Sequence, residues 1–313
     1  MDFEERFQQT TQSGDMNARK LNEILAQVFK QYNHQYKNGG VFMELKWDGH
    51  THTQYCYHGS SKKQELYIDR AIQLGFQRYT LSEHSPLPTG WIDDISLFKR
   101  LAMPIDELPK YIDFARKMKK FYENKIEVTI GLEMDFLPKQ LAFTENMLED
   151  FNDDLEDIVY SVHYLQGHGG MRCIDNSVDD FREYILGFYG DMEGVVNAYY
   201  DQVEAAITWV AKLSMRKRIG HINLIEKFSR VLPEIDEKQM RNRLEAIIPL
   251  LIKANVGIDV NTAGLRVTTC GKPYVPEWFL SECKSQGVAC IYGSDAHKPE
   301  HVGTGWDWFA NHK

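Results

Sequence analysis

The stretch Asp48-Gly49-His50-Thr51-His52-Thr53-Gln54-Tyr55-Cys56-Tyr57-His58-Gly59 brings three histidines into one short segment. It follows a β-type run over 41–47, and the spacing of His50 and His52 sends both imidazoles to one side of an extended backbone. His58 follows in a loop where Gly59 permits a sharp turn. Neutral imidazole is the commonest protein ligand for zinc-like ions, so the stretch suggests a metal site. Taken alone it also fits solvated histidines at a polar strand end.

Length and composition indicate which class of protein the chain belongs to. The chain has 313 residues, of which 43% are hydrophobic and 26% charged, as in soluble globular proteins. No apolar run approaches the roughly 20 residues of a membrane span, and the first residues lack the features of a signal peptide. These observations predict a cytoplasmic protein without a membrane partner.

The net charge and the cysteines limit the kinds of binding partner and of covalent cross-link that the chain can have. The formal net charge of −9 disfavours non-specific binding of nucleic acid, which relies on clustered Lys and Arg. The five cysteines are odd in number and form no Cys-x-x-Cys pair, which fits reduced thiols rather than a disulfide framework.

Strand-like and helix-like segments alternate from residue 41 onward. The predicted strands are 41–47, 78–82, 126–130, 157–162, 218–222, 256–260 and 288–292. No Pro/Gly-rich linker separates them, so 41–313 is predicted to be one α/β domain with a parallel sheet. A closed, distorted seven-stranded (β/α) TIM-like barrel is favoured over a doubly wound sheet, because no Gly-x-Gly-x-x-Gly follows any strand.

Two local predictions accompany this fold. Residues 1–40 are expected to form a helical extension, because apolar residues recur at helical spacing from Leu21 to Tyr32. Its apolar stripe would pack on the body of the protein or on a second subunit, which leaves a homo-oligomer open. The first barrel helix is predicted to open with a capping box at 61–64 and to end at Gly75.

Ligand-type side chains recur at the ends of the predicted strands. In a parallel barrel these ends share one rim, which is where barrel enzymes place their active sites. A single such residue has ordinary explanations as a cap, a surface charge or a buried histidine, but scattered residues would not sort to the rim in this way. The nine candidate metal ligands are His50, His52, His58, His84, Glu133, His163, His221, Asp295 and His297.

Nine ligands are too many for one tetrahedral zinc ion. They suit three closely spaced divalent ions with three or four protein ligands each. Imidazole and carboxylate ligands without thiolate point to zinc, manganese or iron.

These motifs resemble the polymerase-and-histidinol-phosphatase (PHP) family of metal-dependent phosphoesterases. The His50-x-His52 pair, the His58 loop, Glu83-His84, Glu133, His163, Gly220-His221 and Asp295-x-His297 occur in the family's order. Within it, the phrases 83–88, 161–163, 218–222, 261–265 and 292–297 are most similar to the bacterial histidinol-phosphate phosphatases. The resemblance runs from about Trp47 to the C-terminus.

The resemblance implies three metals in a distorted seven-stranded barrel. It places one ion on His50, His52, Glu133 and Asp295, a second on Glu133, His163 and His221, and a third on His58, His84 and His297. The implied reaction is hydrolysis of L-histidinol phosphate to L-histidinol and inorganic phosphate, in histidine biosynthesis.

For the mechanism we expect a metal-bridging hydroxide as the nucleophile and no protein nucleophile. Glu133, Asp295 and His297 are the expected catalytic residues. Asp295 or a neighbouring histidine would protonate the leaving group, and the sequence does not choose between them.

The substrate contacts are predicted from nearby charges. Arg266, Lys227 and Arg172 are candidates for the phosphate, since a guanidinium matches phosphate bidentately. Glu83 and Asp175 are candidates for the substrate's ammonium group. Gly167-His168-Gly169-Gly170 is interpreted as a mobile loop beside the site.

Two alternatives remain open from the sequence. The same metals would serve a phosphoesterase that acts on nucleotides or other small phosphate esters. A metal-binding module without catalysis is disfavoured, because structural sites are usually closed by their protein ligands.

Overall fold

Seven parallel strands form the central sheet of the computed structural model, which describes residues 45–312. Their bounds are β1 (Trp47–Asp48), β2 (Arg78–His84), β3 (Glu127–Asp135), β4 (Asp157–Ser161), β7 (Arg216–Ile219), β8 (Gly257–Asn261) and β9 (Cys290–Gly293). They neighbour one another in the order β1-β2-β3-β4-β7-β8-β9, and every pair is parallel.

The first and last strands close this sheet into a barrel. Gly49 donates its backbone N–H to the Tyr292 carbonyl at 2.8 Å, and Asp295 donates to the His50 carbonyl at 2.8 Å. A parallel bridge between Thr51 and Ala296 continues the pairing. The predicted seven-stranded α/β barrel is thereby confirmed, with its closure beside the histidine-rich stretch.

Helices cover the outside of the barrel. They are α1 (Gln64–Gln73), α2 (Ile95–Leu101), α3 (Leu108–Tyr122), α4 (Leu141–Glu149), α5 (Val178–Asp180), α6 (Gly187–Tyr189), α7 (Met192–Val210), α8 (Glu237–Ala254), α9 (Glu277–Ser285) and α10 (Trp306–Asn311). A π-helical turn, Phe181–Leu186, joins α5 to α6, and short 3₁₀ turns lie at Ile105–Glu107, Leu224–Glu226, Ala263–Arg266 and Pro299–His301.

The helices bury their apolar faces against the sheet. In α1, Tyr67, Ile68 and Ala71 are wholly buried, at the spacing of one helical face. Tyr111 in α3 is also wholly buried and donates its hydroxyl to the carbonyls of Leu81 and Gly131, which ties this helix to β2 and β3. Within residues 45–312, no helix has the length and apolarity that crossing a membrane requires.

Several boundaries differ from the prediction. Strands β2 and β3 continue to His84 and Asp135, because residues 82–84 pair with 131–133 although their side chains are polar. The predicted loop at 167–170 is the turn of a hairpin formed by β5 (Tyr164–Gly167) and β6 (Gly170–Cys173). The capping box was wrong: α1 begins after Lys63 without a side-chain cap, although it ends before Gly75 as expected. The predicted helical extension, 1–40, lies outside the described residues.

Candidate metal centre

Glu133 lies at the middle of the predicted ligand set. It is 2% exposed, it sits on β3, and it is the register neighbour of His84 on β2. Five imidazoles surround its carboxylate: His221 Nε2 at 2.9 Å, His84 Nδ1 at 3.1 Å, His50 Nε2 at 3.2 Å, and the Nε2 atoms of His52 and His163 at 3.5 Å. Side chains from distant segments thus converge on one carboxylate inside the barrel mouth.

Asp295 lies beside two of these imidazoles. Its Oδ1 is 3.2 Å from His52 Nε2 and 3.9 Å from His50 Nε2. The ligand atoms of His50, His52 and Asp295 all lie within 4.8 Å of one another, as do those of Glu133, His163 and His221. The second cluster has the same members as the ligand set implied for the second ion, and the first contains three of the four residues implied for the first ion.

The remaining predicted ligands lie at the outer side of the centre. His58 Nε2 is 3.0 Å from His297 Nε2, and the rings of His58 and His84 are 4.9 Å apart. His84 and His297 belong to a third cluster whose other members are His52 and Cys56, again with ligand atoms within 4.8 Å. The His58 residue as a whole is solvent-exposed, but both of its ring nitrogens face the protein, Nδ1 toward the Arg100 carbonyl and Nε2 toward His297. The third cluster includes Cys56 and not His58.

Unpartnered buried atoms show that the centre fits metal ions. Five atoms of the centre are shielded from solvent and have no hydrogen-bond partner among residues 45–312: His50 Nε2, His52 Nε2, His84 Nε2, His221 Nδ1 and Asp295 Oδ1. A buried polar atom without a partner costs about 1–3 kcal/mol, so five of them in one place call for a ligand. Nitrogen and carboxylate oxygen are the donors that zinc, manganese and iron accept.

The opposite nitrogens of the rings are anchored. His50 Nδ1 lies 2.7 Å from Asp259 Oδ2, and His163 Nδ1 lies 2.7 Å from Asp135 Oδ1. His58 Nδ1 donates to a backbone carbonyl, that of Arg100, at 2.7 Å. A carboxylate or carbonyl behind a histidine fixes the tautomer and leaves Nε2 for a metal, which is the usual arrangement in metalloproteins.

Two of the candidate ligand residues adopt backbone conformations that L-residues seldom use. His221 has a φ of 22° and Asp295 a φ of 52°. At His221 the flanking peptide groups are held in place: its N–H donates to Asp259 Oδ2 at 3.2 Å, and its carbonyl accepts from the Leu224 N–H at 2.8 Å. Such residues cluster at functional sites, where surrounding contacts fix the strained geometry.

Charges in the metal-free centre are strongly coupled. Burial opposes protonation of His52, but the neighbouring carboxylates of Asp295 and Glu83 outweigh it and raise its pKa to about 9. Burial likewise opposes protonation of His163, and Asp135 with Glu133 raises the pKa to about 10. In the metal-free centre the carboxylates therefore favour the protonated, positively charged form of these two imidazoles. Bound metal ions would supply that positive charge instead.

The outer imidazoles behave differently. Burial, together with the neighbouring His297, lowers the pKa of His58 to about 4. Burial and the nearby His52 also hold the pKa of His84 well below its ordinary value. Both rings are thus neutral near pH 7 and ready to donate a lone pair.

A cavity of about 480 Å³ opens above the clusters. Its wall includes Lys227, whose Nζ donates to Asp175 Oδ2 at 2.9 Å, and Arg266, whose guanidinium donates to the Thr304 hydroxyl and to the carbonyls of Ser294 and Asp295. Lys227, Asp175 and Arg266 therefore line the cavity beside the candidate ligands, and their contact with a substrate stays a prediction.

Two predicted substrate contacts lie elsewhere. Glu83 is wholly buried, and its oxygens accept from Thr53, from the His84 N–H and from His52 Nδ1, so it supports the ligands rather than a substrate. Arg172 does not line the cavity: its Nε donates to the His168 carbonyl, and its guanidinium stacks over Tyr184. Neither side chain lines the cavity, so this placement does not favour either one as a substrate contact.

Sequence reasoning assigned no role to Asp135, Asp259 or Cys56. A signal existed for the two carboxylates, because Asp135 is two residues beyond Glu133 and Asp259 two before Asn261, and this spacing places both members of each pair on one face of a strand. For Cys56 there was none, since no second cysteine stands at a ligand spacing.

The sequence of the chain is similar to known protein families and to a curated relative. The PHP domain family matches residues 48–263, and the PHP-associated C-terminal family matches residues 280–313. A curated relative, histidinol-phosphatase of Bacillus subtilis, is 31% identical over 84% of this chain and 98% of its own length.

Two solved structures share the fold. A structure from Listeria monocytogenes, provisionally named histidinol phosphatase HisK, is 33% identical, covers 84% of this chain and all of its own, and has a TM-score of 0.80. The Lactococcus lactis histidinol phosphate phosphatase, solved with zinc, L-histidinol and phosphate, superposes with a TM-score of 0.65 at 16% identity, over 86% of this chain and 94% of its own.

Proposed function

Because the chain belongs to the PHP family, we propose that it is a histidinol-phosphatase, which hydrolyses L-histidinol phosphate to L-histidinol and inorganic phosphate. The observation that carries the proposal is the set of unpartnered imidazole and carboxylate atoms around Glu133, at the floor of a cavity with cationic side chains on its wall. The identity of the substrate is inferred from the relatives, and the position of the reaction site is inferred from the geometry of these side chains.

We propose that the centre holds three divalent ions, of zinc, manganese or iron. His50, His52, Asp295 and Glu133 would hold one, Glu133 with His163 and His221 a second, and His84 with His297 and His58 a third. When bound, such ions neutralise a phosphate dianion and lower the pKa of water so that hydroxide can attack phosphorus.

The protein's own groups would bind and orient the ester. Lys227 and Arg266 approach the cavity from two different loops and bring positive charge to the phosphate. Arg266 also holds the carbonyls of Ser294 and Asp295, so phosphate binding and the position of the Asp295 loop are linked. Asp175 is the candidate for the substrate's ammonium group, because its carboxylate lines the same wall.

Proton delivery to the leaving alkoxide is assigned to Asp295 or His297. Both line the cavity, and the side chain of His297 is 25% exposed, so it can exchange protons with water. Glu133 is 2% exposed and surrounded by imidazoles, which suits a bridging ligand rather than a proton donor.

The cavity size favours a small substrate. A volume of about 480 Å³ lies within the ordinary range for small-molecule sites. Phosphoesterase activity on nucleotides or other small esters is the second candidate, because the metal ligands do not distinguish substrates. Location in the cytoplasm and assembly into a homo-oligomer stay predictions from the sequence.

The test is a comparison of kcat/KM for L-histidinol phosphate, nucleotides and sugar phosphates, with and without chelator. We expect the histidinol ester to be preferred and all turnover to stop on metal removal. Preference for another ester would move the assignment to the second candidate. Full turnover by both His84→Asn and Asp295→Asn would overturn the catalytic site itself.

A further inference from the structure

Cys56 stands inside the metal centre, although no cysteine was expected there. It lies in the loop between His52 and His58, and it is 7% exposed. Its Sγ and the ring nitrogens of His52, His84 and His297 all lie within 4.8 Å of one another. Four ligand-type atoms at such mutual distances can surround one ion.

The neighbouring atoms indicate a ligand at this point. His52 Nε2 and His84 Nε2 are buried, and within the part of the chain that the structure describes neither has a hydrogen-bond partner. His52 is wholly buried and His84 is 9% exposed, so bulk solvent is a poor source of partners for these two atoms.

The backbone makes tight turns on both sides of Cys56. The Cys56 N–H donates to the Thr53 carbonyl, and the Cys56 carbonyl accepts from the Gly59 N–H, each at 3.1 Å, so the chain turns tightly on either side of the residue. A Cβ at Gly59 would lie 3.2 Å from Sγ and 3.2 Å from the His297 carbonyl, so the glycine lets the loop pass close over both.

We propose that Cys56 is a thiolate ligand of the outermost ion, beside His84 and His297. The inference rests on the proposed metal centre and adds a sulfur donor to it. On binding, the S–H proton passes to water and a sulfur–metal bond forms, with no change of oxidation state. A soft thiolate favours zinc over manganese, so this position would be the zinc-selective one of the three.

Cobalt substitution tests the proposal without any measurement of turnover. The metal-free enzyme is titrated with Co²⁺, and its absorption spectrum is recorded. We expect a sulfur-to-cobalt charge-transfer band in the near ultraviolet, next to the visible ligand-field bands. The Cys56→Ser variant should lose the charge-transfer band and keep the ligand-field bands.

The matched control is Cys173→Ser. Cys173 is also buried and lines the same cavity, but it belongs to none of the ligand clusters and donates its S–H to Asp175. This variant should keep the charge-transfer band in full. If Cys56→Ser does not fold, Cys56→Ala replaces it.

The outcomes separate this inference from the proposed function. Ligand-field bands without a charge-transfer band in the folded wild type would refute the Cys56 ligand and leave the metal centre standing. Absence of any cobalt spectrum would refute the metal centre itself. Survival of the charge-transfer band in the Cys56 variant, or its loss in Cys173→Ser, would assign the sulfur elsewhere.

Discussion

Asp259 shows how one buried carboxylate can organise several ligands. It is wholly buried on β8, and its Oδ2 accepts from His50 Nδ1 at 2.7 Å, from the His221 N–H at 3.2 Å and from Asn261 Nδ2 at 3.1 Å. One atom thereby orients a ring of the first cluster and the strained backbone of the second. Its negative charge also raises the basicity of the His50 ring.

The substitution Asp259→Asn removes this charge and keeps the shape. We expect zinc affinity to fall by about 10–100-fold, the usual effect of losing a carboxylate behind a ligand histidine. Competition with a chromophoric chelator measures it. Glu300→Gln, a change at an exposed carboxylate paired with Lys62, is the control and should leave affinity unchanged. Equal affinity of Asp259→Asn and wild type would remove Asp259 from the metal centre.

Gly293, on β9, passes close to His50 and Asp259. A Cβ there would lie 2.7 Å from His50 Cβ and would overlap the Asp259 carboxylate. Gly293→Ala should therefore lower the free energy of unfolding by about 1–3 kcal/mol, as overpacking does. Chemical denaturation of the metal-free protein measures it. Gly287→Ala, where a side chain would meet open space, is the comparison, although its φ of +80° carries a strain of its own.

The strands were predictable because their apolar runs and the turns between them are local signals. Their ends were not: Glu83, His84 and Glu133 are polar, yet they stay in the sheet because residues of β2 pair with β3 up to His84 and Glu133. The hairpin of β5 and β6 also escaped, since a run as short as Tyr164–Gly167 carries too little alternation to be recognised. Most of the candidate ligands could be placed by their spacing in the sequence, whereas the closeness of Cys56 to them is visible only in the folded loop.

Strands β1, β4 and β7 are joined inside the barrel by a buried ion pair. Arg218 Nη1 on β7 lies 2.5 Å from Asp157 Oδ1 on β4, and a second guanidinium nitrogen donates to the Gly49 carbonyl just after β1. Arg218 is 1% exposed and Asp157 fully buried. The ion pair therefore fixes the Gly49 carbonyl, which directly precedes His50.

Arg218→Met should lower the free energy of unfolding by about 3 kcal/mol, because it removes the nearest partner of the buried Asp157 charge and leaves only Arg216, at 4.0 Å, and the Thr80 hydroxyl, at 3.3 Å. Urea denaturation of the metal-free protein measures the change. The double variant Arg218→Met/Asp157→Asn should recover part of the loss. A single variant as stable as wild type would show that Asp157 is already neutralised by other groups.

Metal ions would link segments that are far apart in sequence, from His50 to His297, across the seam where β1 meets β9. Since ions bind the folded state alone, each site adds about 2.7 kcal/mol of stability at a free metal concentration 100 times its Kd. Chelation should therefore lower Tm as well as stop turnover, and added zinc should restore both. An unchanged Tm after verified metal removal would mean that the clusters do not hold metal in solution.

The pH dependence of the metal-free molecule follows from its opposed histidines. His52 and His163 have folded-state pKa values raised to about 9 and 10, so they stabilise the fold fully below pH 6.5, and this contribution is lost as pH rises toward those values. His58, with its pKa lowered to about 4, destabilises the fold as pH falls below 6.5, because only the unfolded chain takes up the proton. The metal-free Tm should thus pass through a maximum near neutrality.

In the zinc-loaded protein the ions replace the protons on His52 and His163, so the decline in Tm above pH 8 should be weaker. Thermal melts from pH 5 to 10 in both states measure this, and parallel curves would show that zinc and protons do not compete for these rings.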